Sequence, residues 1–177
     1  MKGLVKGALL AAGTALALSA APAMTAAAAT SGSETFGGTI VFSGVPGTEA
    51  RTITASVVVA KGVFRGVGRF VELPRLPTDP AGVSRDDLVF SGGTIHLVSS
   101  LGSLSGSLNP HSCLFSGTQQ LTWQVTGGTG QFAGASGSLT GTVSTRALLA
   151  RNPDGSCLFT QVPHEVDRFA ESGTLSF

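Results

Sequence analysis

The sequence predicts an all-β domain, a closed antiparallel β-barrel of about eight strands, with a β-sandwich as the alternative. Three observations carry that prediction. From Thr35 onward apolar residues recur with a period of two rather than the 3.6 of a helix. The 177 residues include 25 Gly and 8 Pro, so the apolar runs stop at frequent turn signals. No stretch of the chain shows a convincing amphipathic helix.

The chain opens with Lys2 and Lys6, an apolar run from about Ala8 to Ala21, then Pro22 and small residues ending Ala27-Ala28-Ala29. That order is the pattern of a secretory signal peptide over residues 1–29, with cleavage after Ala29 or, alternatively, Ala28. The apolar run is shorter than the ~20 residues of a membrane span. The expected product is a secreted single domain, residues 30–177, without a stable membrane anchor. Its ~148 residues suffice to bury roughly 68–70% of the surface of the unfolded chain. Of the 11 Lys and Arg, Lys2 and Lys6 fall in the leader, which leaves nine against ten Asp and Glu. No basic cluster occurs, so nucleic acid is not an expected partner.

Each element follows from the two-residue period. Phe36, Ile40 and Phe42 share one face of a first strand, and Ile53, Ala55, Val57 and Val59 one face of a second, between turns at Gly47 and Gly62. In the third, Val63, Arg65, Val67, Arg69 and Val71 oppose Phe64 and Phe70, with Gly66 and Gly68 allowing a strong curl. Leu73–Gly82 contains Pro74, Pro77 and Pro80 and is read as a long loop, since proline removes ladder donors. Further strands are expected over Leu88–Phe90, Thr94–Val98, Phe115–Val125, Leu139–Leu149 and Gly173–Phe177. Between the two longest of these, Gly127, Gly128, Gly130, Gly134 and Gly137 surround Phe132. They are read as a structured turn in which Phe132 plugs the end of the sheet.

The run GGTGQFAGASGSLTG, Gly127 to Gly141, resembles the GGTGRFAGATG-type segment of bacterial secreted proteins in the allene oxide cyclase and dirigent barrel superfamily. A looser similarity extends from Leu88 to about Thr145. The resemblance implies a barrel that acts without a cofactor: allene oxide cyclases hold a reactive lipid epoxide, and dirigent proteins orient phenolic radicals. A small hydrophobic or aromatic ligand is implied here. The chain departs from the dirigent pattern in having no tyrosine, and the acidic and arginine residues of that family's pocket have no matched positions.

Cys113 and Cys157 in an exported chain are read as one disulfide. A metal site with His111 and His164 is not expected, because the H-x-C and C-x6-H spacings fit no common zinc module. His96 lies opposite Ile95 and Leu97 on its strand, a candidate pocket acid or base, though a lone strand histidine is more often solvated. Arg65 and Arg69 are ligand-pocket candidates because an inward arginine demands a carboxylate or an anion, while surface placement is the ordinary outcome. Gln124, on the polar face of its strand, completes that candidate set. Asp86 and Asp87 point to opposite faces of any strand and are read as loop or strand-entry residues. Glu165 and Asp167 share a face if Val162–Phe169 is extended, and are read as a solvated edge. No G-x-S-x-G elbow and no dinucleotide loop occurs.

The function these readings favour is a secreted, non-catalytic barrel scaffold or binding protein, with homo-oligomerisation left open. The alternative is a dirigent- or allene-oxide-cyclase-like barrel that binds a small hydrophobic or aromatic molecule and steers its reaction.

Overall fold

The computed structural model describes residues 30–44 and 51–177. The expected signal peptide and the Gly47 turn lie outside the described residues. Among the described residues eleven strands run in chain order: β1 (Ser31–Gly44), β2 (Thr52–Gly62), β3 (Arg65–Glu72), β4 (Val83–Phe90), β5 (Gly93–Leu101), β6 (Ser105–Asn109), β7 (Leu114–Gly128), β8 (Ser136–Leu148), β9 (Ala150–Arg151), β10 (Cys157–Leu158) and β11 (Val162–Ser176). Eight of them close a ring in the order β1, β2, β3, β4, β5, β7, β8, β11 and back to β1, every pair antiparallel. The fold is a closed eight-stranded antiparallel barrel. Strand β6 continues β5 along the same edge of β7, and β9 with β10 forms a small hairpin between β8 and β11.

Closure places alternate residues inside. On β1 the inner set includes Glu34, Phe36, Ile40 and Phe42, and on β7 Leu121, Trp123 and Val125. On β2 the expected common face of Ile53, Ala55, Val57 and Val59 is corrected. Val41 pairs with Ala55 and Phe42 with Ile53, so Thr54 is an extra residue that reverses the alternation. Ile53 faces in, Val58 and Ala60 are the buried residues beyond the bulge, and Val57 is 42% exposed.

The last strand is also longer than Gly173–Phe177. It runs fifteen residues, and Glu165, Asp167 and Glu171 hold inward positions between its apolar ones. Those carboxylates break the apolar alternation by which the strand would be recognised.

The two ends of the barrel differ. At one end a short 3-10 turn, Gly130–Phe132, joins β7 to β8 and carries the fully buried Phe132. Its ring meets Phe64 at 4.9 Å and Phe177 at 5.2 Å edge-on, and Phe90 at 5.8 Å. Gly130 has φ 60, and a Cβ there would lie 2.3 Å from the Gly92 carbonyl oxygen, so the turn needs glycine at that position. Thr30 and Phe177 exchange backbone hydrogen bonds beside it. At the other end Cys113 and Cys157 are joined by a disulfide, their Cα atoms 5.4 Å apart. A second apolar cluster of Ala147, Leu149 and Val162 surrounds the bridge.

Candidate functional site

The end opposite Phe132 is hollow. A cavity of about 460 Å³ opens there, in the size range of small-molecule sites. Trp123 forms its floor, packed between Phe36 at 6.0 Å and Phe169 at 5.2 Å between ring centroids. Phe42, Phe70, Leu121 and Val143 form apolar walls, and Leu101, Leu104 and Phe159 stand at the rim. Phe159 is 63% exposed, an apolar ring left in reach of solvent.

Into this apolar hollow project carboxylates from three strands. Asp86 shares the inner face of β4 with Leu88 and Phe90, and Glu165 and Asp167 share that of β11 with Phe169. Glu72 comes from the end of β3, and a guanidinium, that of Arg51, enters just before β2. Arg51 Nη2 donates to Glu165 Oε1 at 2.8 Å and lies 3.7 Å from Asp167 Oδ2, with Glu72 4.0 Å from Nη1. The guanidinium also lies over the Phe42 ring, 3.5 Å from its centroid, a cation–π contact.

Asp86 is held differently. Its Oδ2 accepts from the hydroxyls of Ser84, at 3.0 Å, and Ser99. Among the described residues neither Asp86 Oδ1 nor Asp167 Oδ1 has a hydrogen-bond partner, although both atoms are buried.

Burial pushes the Asp86 carboxyl up to about 6, and Glu72 and Asp87 add repulsion, against the two serine hydroxyls that favour the anion. Asp167 is also raised to about 6, by burial first and by Glu165 and Glu72, while Thr145 and Arg51 oppose the rise. Glu171, on the inner face of β11 outside the cavity lining, is raised to about 8 by burial alone.

The residues expected from sequence to line a pocket lie elsewhere. Arg65 and Arg69 are on the solvent side of β3, and Arg69 borders an outer groove where β2 and β3 part. His96 is on the outer face of β5, its Nδ1 2.7 Å from Asp87 Oδ1. Gln124 is exposed on the outside of β7, where its Nε2 donates to the Gly137 carbonyl. None of the four reaches the cavity.

Two further readings are corrected. Asp86 is a buried strand residue and not a strand-entry one, because β4 begins earlier, at Val83, and keeps Asp86 in phase with Leu88. Glu165 and Asp167 are buried in the lumen, not on a solvated edge, because β11 is paired on both sides by β1 and β8. The signal in the sequence was parity: each of these carboxylates stands an even number of residues from an inward Leu or Phe.

Comparison of the chain with family models, with curated proteins and with solved structures yields no match. What fold and site together define is a class: an antiparallel eight-stranded barrel, packed solid with phenylalanine at one end and hollow at the other.

Proposed function

We propose that this barrel is a binding protein for a small, largely hydrophobic or aromatic molecule, held in the hollow half of the lumen above Trp123. The observation that carries the reading is the contrast between the two ends. A barrel serving only as a scaffold gains from filling its core, since empty apolar volume forfeits packing. Here the Phe132 end is packed by five phenylalanines, whereas the other end keeps a ligand-sized hollow with polar groups converging on it. The likeness of the Gly127–Gly141 run to the allene oxide cyclase and dirigent barrels supports the same reading, because those barrels hold apolar guests. The leader-like residues 1–29 and the disulfide support action outside the cytoplasmic membrane.

Titration calorimetry with phenylbutanol, a neutral molecule with an aromatic body, tests the proposal. Binding with one-to-one stoichiometry is expected. Ala147 lines the cavity, and Ala147→Phe, which fills it, is expected to abolish the binding while the circular dichroism spectrum stays unchanged. No binding to the wild-type protein, or equal binding to the filled variant, refutes it.

A further inference from the structure

We propose that the hollow selects an organic monocation, an amine carried on an apolar body, over neutral and anionic molecules of the same shape. This rests on the binding reading above and adds the chemistry of the ligand's polar end. Among the described residues four carboxylates, of Glu72, Asp86, Glu165 and Asp167, line the cavity against the single guanidinium of Arg51. An acidic cluster alone does not make a cation site, because its members often satisfy one another. Here two do not. Asp86 is 2% exposed and Asp167 9% exposed, both line the cavity, and in each the Oδ1 atom is buried without a partner among the described residues. A buried acceptor without a donor is a standing penalty that a donor brought by a guest removes.

Arg51 does not reverse the preference. Its guanidinium is already committed to Glu165, Asp167 and Glu72 and stacked on Phe42. Its buried Nε, also without a partner among the described residues, suits a neutral acceptor such as a hydroxyl or ether on the guest. The aromatic rings of Trp123, Phe70 and Phe169 add faces that attract a cation and take an apolar body equally well. An anionic head would instead meet an excess of negative charge in a poorly solvated site.

The preference is pH-dependent. Asp86 is faced by Ser84, Ser99 and Glu72, with the charge of Asp87 acting from the outer face of β4, and Asp167 by Thr145, Glu165, Arg51 and Glu72. With both carboxyls raised to about 6, mild acid protonates them and removes the attraction for an amine, whose own charge is unchanged.

The test compares phenylbutylamine, phenylbutanol and phenylbutanoate by calorimetry on the full domain. At about pH 7.5 the amine is expected to bind about tenfold tighter than the alcohol, and the carboxylate weakest. At about pH 5 the amine is expected to lose that advantage while the alcohol is unaffected. Asp86→Asn combined with Asp167→Asn is expected to weaken amine binding about fivefold or more and leave alcohol binding in place, which also reports that the variant is folded.

Alcohol or carboxylate binding as tightly as the amine to the wild-type protein overturns the charge selection and leaves the binding reading standing. A wild-type protein that takes none of the three refutes the binding reading itself. The ranking and its pH dependence need no variant, so misfolding of the double substitution cannot shield the proposal.

Discussion

Glu171 is the residue whose placement runs most plainly against its chemistry. It is 1% exposed on the inner face of β11, and neither carboxylate oxygen has a hydrogen-bond partner among the described residues. Burial raises it from an ordinary 4.5 to about 8, so the folded protein keeps the proton that the unfolded chain gives up. The unfolded state binds fewer protons between those two values, and stability therefore falls as pH rises through that window. Asp86 and Asp167 act in the same direction between 3.8 and about 6. Urea unfolding from about pH 6 to 8 is expected to show a loss of up to about 1.4 kcal/mol per pH unit that Glu171→Gln removes. An identical slope in that variant contradicts the assignment. Arg51 is the counterpart on the charged side. Arg51→Met leaves Glu165 and Asp167 without their cation, and a loss of about 2 kcal/mol at neutral pH is expected from the unfolding midpoint, reduced from the full cost of a buried pair by the side chain's 21% exposure.

Strands β2 and β3 pair only from Val58–Gly68 to Lys61–Arg65, and beyond that the wall parts. Ser56 spans the opening: its hydroxyl accepts from the Phe70 N–H at 3.1 Å and donates to the Phe70 carbonyl at 2.9 Å. Ser56→Ala is expected to lower stability by about 1–2 kcal/mol and to speed amide exchange at Phe70, with little effect at Phe132. The turn at the far end carries a larger share, and Phe132→Ala should remove about 3–5 kcal/mol. Most strands were legible from alternation alone, and the glycine cluster around Phe132 was legible as a turn. The bulge at Thr54 was not, because nothing local in Thr-Ile-Thr-Ala-Ser distinguishes an extra residue from a paired one. Its consequence is large, since every side chain from Ala55 to Val59 changes face. The residues that line the cavity were missed for a related reason. Arg65, Arg69, His96 and Gln124 stood out as unusual polar residues in apolar strands, yet the polar residues that enter the lumen are those in phase with leucine and phenylalanine. An inward carboxylate looks like an interruption of a strand until closure shows what it faces.

The whole molecule is a barrel secured at two ends by different means. Phenylalanine packing and the exchanged Thr30–Phe177 hydrogen bonds hold the sealed end, and the disulfide holds the β9–β10 hairpin near the open one. The bridge spans a sequence separation of 44, for which chain entropy gives about 4 kcal/mol of stabilisation. Cys113→Ser with Cys157→Ser is expected to lose stability on that scale in chemical denaturation, while the sealed end retains its amide protection. The two ends thereby divide the work: one confers the fold's rigidity, and the other keeps a hollow in which carboxylates remain buried without full compensation. Whether a guest occupies that hollow is most directly read from the chain's one tryptophan, Trp123, on its floor. In a nitrogen–proton correlation spectrum the single indole resonance is predicted to shift with saturation as phenylbutylamine is added, with the His96 and Gln124 amides on the outer face unmoved. An indole signal that stays in place while outer-face amides shift would contradict the account.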